Sequence, residues 1–537
     1  MTNALSRRVV LQGMLAGTTA FAFMRAGSAS AQTPGGTLNV GLTYELDTMN
    51  TYSTGFLADC QHTVVEGLIA PDGQAKYVPV LAKEVPTLDN GGIVLSEDGT
   101  KMTITYHLQE GVKWHDGAPF TSADVKFTWE AVKNPDFIAE SKDGTQDIDS
   151  IDTPDDYTVI CHYNTVKPNF ASTLFTFGIM PKHLLEGEDL NTSSYNETPV
   201  GTGPFKVAEF VRGQYVVVDK NTDYWRKAPN GDQLPYIDRI VFRIVTDSNT
   251  LITQLQSGEL DMAVQVPYGR AAQIENVERL EVILGDQLSW QHLDFNFRNP
   301  LLADLAVRRA IAHAINRDTL IRVQGGYPVA IKSLVLPIFD LYDPETPEIP
   351  FDVAEANRIL DEAGYARGGD GIRAKDGQRL SFNFVVQSGR ADDENAQQVI
   401  MAALKEVGIE TMADNKSGVA FREARYGGGY DLLYARWITS ADPVYSIFYG
   451  TDGENNGQGY SNPELDAVFA RLENTLDQDV RREAASEMQR IIAEDIPAIA
   501  MLGNVAVIAK TKALKNFSPN PTNMTNFVDT KEWYLES

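Results

Sequence analysis

The chain has 537 residues, 43% of them hydrophobic, and a formal net charge of −27. Charge of this sign and size disfavours nucleic acid and anionic membrane surfaces as partners, while the apolar content is enough for a substantial core. It leaves the charge of a small ligand open, because a cleft can carry a local field opposite to the global one.

The first element is an export pattern. Ser6-Arg7-Arg8-Val9-Val10-Leu11-Gln12 precedes an apolar stretch from Met14 to Met24, and Ala29-Ser30-Ala31 closes it with small residues. Residues 1–31 therefore read as a twin-arginine-type signal peptide cleaved after Ala31. The apolar run is shorter than the roughly 20 residues that span a bilayer, which argues against a transmembrane helix. Losing Arg7, Arg8 and Arg25 takes the net charge from −27 to −30.

Downstream, short strands alternate with well-signalled helices, the pattern of an α/β fold. Strands are expected at 36–41, 101–108, 158–163 and 215–219. Between 111 and 130 the chain reads GVKWHDGAPFTSADVKFTWE. Trp114 to Pro119 is turn chemistry, with Gly117 free to take positive φ. Thr121 and Asp124 have capping-box spacing, so a helix is expected from about Ser122, burying Val125, Phe127 and Trp129 in part. A helix at 247–256 should stop at Gly258 before a strand at 260–264. Asp352 and Glu355 form another capping box, with Gly364 at the far end. A helix at 397–407 should end at Gly408 before a strand at 409–412. Asn462-Pro463 starts a helix with Leu465, Val468, Phe469 and Leu472 on one face.

Enzyme signatures are missing. The chain has no GxSxG elbow, HExxH, GxxxxGK[ST] phosphate loop or GxGxxG fingerprint. Gly201-Thr202-Gly203 begins like a glycine fingerprint, but Pro204 breaks it. The seven histidines stand singly without i,i+4 ligand spacing, which argues against a metal site. A secreted hydrolase is the alternative from another class, and no catalytic motif supports it. The only cysteines, Cys60 and Cys161, permit a disulfide in an oxidising compartment or serve as buried free thiols.

The stretch at 111–130 is followed in order by VGTGPFKV (200–207), NTDYW (221–225), IDRIVFRIVTDSNT (237–250), SGELDMAV (257–264) and DFNF (294–297). Then come DLAVRRAIAHAINRD (304–318), ILDEAGY (359–365), YDLLYARW (430–437) and Asp442-Pro443. Together these resemble extracellular solute-binding proteins of family 5, the peptide, nickel and oligosaccharide class serving ABC importers. The resemblance implies a two-lobed periplasmic-binding-protein fold, type II-like, with an extra subdomain in the first lobe. A mature chain of about 500 residues fits two lobes, since single cores stop growing near 250 to 300. The implied division is lobe I at 32–284 plus 502–537, with a subdomain at about 77–195, and lobe II at 285–501. Hinge crossings would fall near 285–289 and 500–505. The resemblance also implies a periplasmic monomer without cofactor or catalysis, binding a small organic solute for an ABC permease and ATPase on separate chains.

Ligands of open α/β sheets sit beyond the carboxyl ends of strands. The strand expected at 430–437 ends at Trp437 and leads to Thr439, Ser440 and Asp442. Trp437 either stacks on a solute or plugs the lobe core, and Asp442 either binds solute or caps a turn before Pro443. Arg436 is a candidate for a ligand carboxylate, unless strand parity turns it away. From the other lobe, Tyr44 and Glu45 follow the first strand, and Asn296 follows the first crossing. Peptide-binding relatives often place an aspartate between the tryptophan and the Asp-Pro pair to meet the peptide amine. Ile438-Thr439-Ser440-Ala441 holds no acid, so Glu45 or Asp442 takes that role or the ligand lacks such an amine. A peptide or amino-acid conjugate, an oligosaccharide or glycoconjugate, another organic solute and nickel all remain open.

Overall fold

A computed structural model describes residues 35–54, 59–522 and 526–536. The export signal, with Arg7, Arg8 and Ala31, lies outside them. Among the described residues no helix is long and apolar enough to cross a membrane.

One mixed sheet runs through the molecule. In spatial order its strands are Glu410–Lys416, Ser381–Gln387, Leu432–Ile438, Leu280–Phe295, Ala498–Thr511, Met262–Ala263, Thr37–Leu42, Arg239–Ile244, Tyr215–Lys220 and Phe205–Val211, and the short strand Val329–Ala330 also pairs with Ala498–Thr511. The two long antiparallel strands are the mechanical centre. At about 3.3 Å per residue, the 16 residues of Leu280–Phe295 span roughly 50 Å. Their pairing slips twice, between Asp286 and Trp290 and between Gln291 and His292. Such irregularities bend a ladder and let its two ends belong to different packing units. Before the first slip the pair sides with Met262–Ala263; after it, residues 289–295 pair with Leu432–Ile438.

The cores divide accordingly. Leu38, Val40, Phe205, Ile240 and Phe242 pack together in one cluster, and Leu293, Phe295, Phe382, Phe384, Ile400 and Tyr434 in another. A separate four-stranded antiparallel sheet, Ile93–Leu95, Met102–His107, Thr158–Tyr163 and Ile148–Asp155, packs with helix Ser122–Lys133 around its own core. Cys60 and Cys161 lie in different cores, both buried and free.

The capping chemistry produced the expected helix starts. Thr121 and Asp124 form the reciprocal box at Ser122–Lys133. Asp247 caps Ser248–Ser257, which ends at Gly258 with φ of 88°. Asp352 caps Val353–Glu362, and Asn462 caps Pro463–Glu473. The helix expected at 397–407 begins earlier, as Ala391–Glu406. Asp392, Asp393 and Glu394 occupy its first turn, where carboxylates favour a helix amino end. The strand expected at 260–264 shrinks to Met262–Ala263, because only those residues find partners on both sides.

The 111–130 signature is scaffold. Asp124 accepts from the Thr121 and Lys182 backbone N–H groups and from Trp114 Nε1. His115 Nδ1 accepts from Gly201 N at 3.2 Å while Nε2 faces Gly203 O at 3.0 Å. Glycine is required at 201, since a Cβ there would lie 1.9 Å from Val64 O. Glu66 then gathers Thr202 Oγ1, the Tyr224 hydroxyl and Trp225 Nε1.

Candidate functional site

Parallel strands point their carboxyl ends the same way, and here those ends converge from both halves. Met262–Ala263 leads into Gln265 to Tyr268, Ser381–Gln387 leads to Arg390 and helix Ala391–Glu406, and Leu432–Ile438 ends at Ile438. With Gln287, Ser289 and residues 504–507 of the two long strands, they line a cavity of about 470 Å³. A crevice beyond strand ends, floored by the crossing strands, is the general ligand position in such sheets.

The cavity wall is strongly polar. Arg436 gives two hydrogen bonds to Asp393, of 3.0 and 2.7 Å. Burial works against the charge of Arg436, and the Asp393 carboxylate more than restores it. Asp392, one residue earlier, is held above the usual carboxylate range by burial, with Arg436 opposing and Asp393 adding to the shift. In the floor, Asn504 donates to Ser289 Oγ at 2.7 Å and accepts from Gln291 at 2.7 Å. Gln291 also exchanges two 2.9 Å bonds with Gln324 and accepts from the Tyr434 hydroxyl. This buried network ties both long strands to the cavity, and every amide in it has a partner.

At the far end of the strand-end loop the chain meets the four-stranded subdomain. Asp442 takes a two-pronged ion pair from Arg481, at 2.6 and 3.2 Å, and its N–H donates to Ser172 Oγ at 3.3 Å. Ser172 is in turn 2.7 Å from the Tyr77 hydroxyl. A second cavity of about 500 Å³ lies here, lined by Tyr77, Phe170, Phe339, Asp442 and Arg481 among others.

The residues singled out from sequence fall into distinct positions. Arg436 and Asp442 line the two cavities. Thr439 N donates to Leu288 O at 2.8 Å, fixing the loop to the crossing strand, and Ser440 Oγ donates to Asp442 O within the loop. Glu45 is exposed after the first strand. Tyr44 turns inward, its buried hydroxyl raised by burial and by Asp59 and Cys60. Trp437 is only 8% exposed, with Phe448 at 4.2 Å, Arg425 at 3.4 Å and His292 stacked at 5.7 Å, so its ring belongs to the core of the second half. Asn296 was expected to face the cleft and does not. Its strand runs antiparallel to Leu432–Ile438, which puts Asn296 beside that strand's amino end, where its amide donates to Gly428 O and Tyr430 O.

Sequence reasoning overlooked Tyr268, Gln387, Arg390, Asp392 and Arg425, all on the cavity wall. The rule that located the 438–442 loop, applied to the ends of the other parallel strands, would have found the first four. Arg425 is on a helix that only tertiary packing brings there.

Fold and crevice define the class: a two-lobed α/β binding protein with its ligand space between the lobes. The family model for bacterial extracellular solute-binding proteins, family 5, matches residues 76–459, and the chain belongs to that family. It is thus a solute-binding protein of the kind that serves ABC importers, and not an enzyme. It is 26% identical over 524 residues to the oligopeptide-binding protein AppA of Bacillus subtilis, covering 95% of this chain and 93% of that one. It is 27% identical over 476 residues to the glutathione-binding protein GsiB of Pectobacterium atrosepticum, covering 86% and 87%. Among solved structures, the ABC transporter substrate binding protein CtaP from Listeria monocytogenes matches with a TM-score of 0.81 at 24% identity, covering 94% of this chain and 100% of that chain. NikA from Brucella suis in complex with Fe(III)-EDTA gives 0.81 at 20% identity, covering 93% and 100%.

Proposed function

We propose that this chain is exported to the periplasm by a twin-arginine signal, captures a peptide-like or related organic solute between its lobes, and delivers it to an ABC permease and ATPase on separate chains. The observation that carries this reading is the convergence of strand ends from both halves on one cavity floored by the crossing strands. Lobe I comprises 32–284 and 502–537 with the subdomain at about 77–195, and lobe II comprises 285–501. Division of the cores and the slipped pairing between Asp286 and Trp290 support these boundaries. Glu45, Thr439, Ser440 and Asp442 are the described loop residues assigned to the solute, with Arg436 held at the cavity wall by Asp393.

A solute touching both lobes binds the closed form better and shifts the population by that differential affinity. Small-angle scattering should show a smaller radius of gyration when the imported solute is added, and deletion of the gene should abolish its high-affinity uptake. A tightly bound solute that leaves both radius and uptake unchanged would reject the reading.

A further inference from the structure

Two charged groups on the wall of the 470 Å³ cavity, Arg425 and Asp392, have no ion pair among the described residues. Arg425 sits over Trp437, its guanidinium carbon 3.4 Å from the ring centroid. Nη2 donates to Arg436 O at 3.0 Å and lies 3.5 Å from His292 Nε2; Nε is buried without a partner, and Nη1 makes no hydrogen bond among the described residues. The acid whose field reaches it most strongly, Asp294, is engaged by His292 at 2.8 Å. Asp294 offsets part of the charge from across His292, but guanidinium donors left without acceptors in such a place are costly unless something else completes them.

Asp392 is the opposite case on the same wall. It is half-buried and accepts no hydrogen bond among the described residues, while its neighbour Asp393 is taken by Arg436. No hydrogen bond or ion pair joins Asp392 to Arg425 among the described residues, so neither serves as the other's partner. A third charge, Arg390, is exposed on the rim and has no ion pair among the described residues.

Resting on the solute-capture reading above, we propose that this end of the crevice binds an acidic amino-acid conjugate with one ammonium and two carboxylates. The ammonium sits on Asp392, one carboxylate on Nη1 of Arg425, and the second on Arg390 at the rim. The solute matches the groups that line the cavity without an ion pair: Arg436 is taken by Asp393, which leaves Asp392, Arg425 and Arg390, with Asp294 set behind His292. Arg425 is suited to the task because its contact with Trp437 and its bond to Arg436 O hold it in place before the solute arrives, so little ordering entropy is lost on binding. Asp392 supplies the amine partner that the acid-free interval Ile438-Thr439-Ser440-Ala441 lacks.

The test is calorimetric titration of the mature protein with γ-glutamyl-glycine, its N-acetyl derivative, its diamide and the neutral sugar maltotriose. γ-Glutamyl-glycine should bind at least 10-fold more tightly than either derivative, and maltotriose should not bind. Asp392→Asn should weaken the dipeptide at least 10-fold and erase its advantage over the N-acetyl form. Arg425→Gln should reduce its advantage over the diamide to the part supplied by Arg390, with the melting temperature of the free variant as the folding control. Should Arg425→Gln unfold, Asp392→Asn decides alone, since that position is half-buried at a helix start. Unchanged affinity in Asp392→Asn, or binding of maltotriose alone, overturns the assignment while leaving solute capture standing. If none of the four binds, the assignment fails, and uptake and scattering with the transported solute then judge the capture reading separately.

Discussion

The guanidinium carbon of Arg425 sits over the Trp437 ring, 3.4 Å from its centroid, and through that contact the strand-end tryptophan is joined to a cavity it does not itself line. The ring also packs against Phe448 and His292, so the indole supports the site from behind.

Removing that support should be expensive. Trp437→Ala should lower unfolding free energy by about 3 to 5 kcal/mol, the range for deleting a buried aromatic side chain. Urea denaturation of the variant measures this directly. A loss below about 1 kcal/mol would place the ring outside the core.

His115 makes stability depend on pH. Burial is the first cause that holds its imidazole down to about 4 from 6.5, and Lys206 adds to it against the pull of Gly203 O. Geometry agrees: Gly201 N–H donates to Nδ1, so Nδ1 must be unprotonated. The unfolded state therefore binds more protons between pH 6.5 and 4, and stability falls as pH drops through that window. The shift corresponds to on the order of 3 kcal/mol. His62, likewise lowered to about 4 by burial, adds in the same direction. Denaturation midpoints at pH 7.5 and 4.5 should show the loss, and His115→Gln should reduce it.

Asp442→Ala leaves Arg481 buried without its carboxylate. Arg481 also gives Nε to Leu472 O, so the cation cannot leave without breaking a second contact. Stability should fall by about 3 kcal/mol, the order expected for one partner lost from a mostly buried pair. Thermal unfolding of the variant checks this, and Asp442→Asn should fall between variant and parent.

Replacing Arg7 and Arg8 with lysine should leave unprocessed precursor in the cytoplasm if the twin-arginine route carries the chain. Cell fractionation with antibody detection reads this out. Undiminished export would exclude that route without touching the rest of the mechanism.

Local chemistry was legible from sequence wherever the cause was local. Thr121 with Asp124, Asp247 with Gly258, Asp352 with Glu355 and Asn462-Pro463 marked real helix ends, because capping needs only neighbouring side chains and one free backbone group. The landmarks from 111 to 443 likewise announced the family, being short motifs whose order survives without a third dimension. What sequence left undecided depended on which way a strand faces and what packs across it. Trp437 could have been solute platform or core until Phe448, His292 and Arg425 were seen to cover it. Asn296 read as a cleft residue from its place after a crossing, yet antiparallel pairing put it at the opposite end of the sheet. Asp392 was within reach of the strand-end rule, lying just past Ser381–Gln387, but Arg425 carried no signal, since a charge on a helix becomes informative only when folding buries it and supplies, or withholds, its partner.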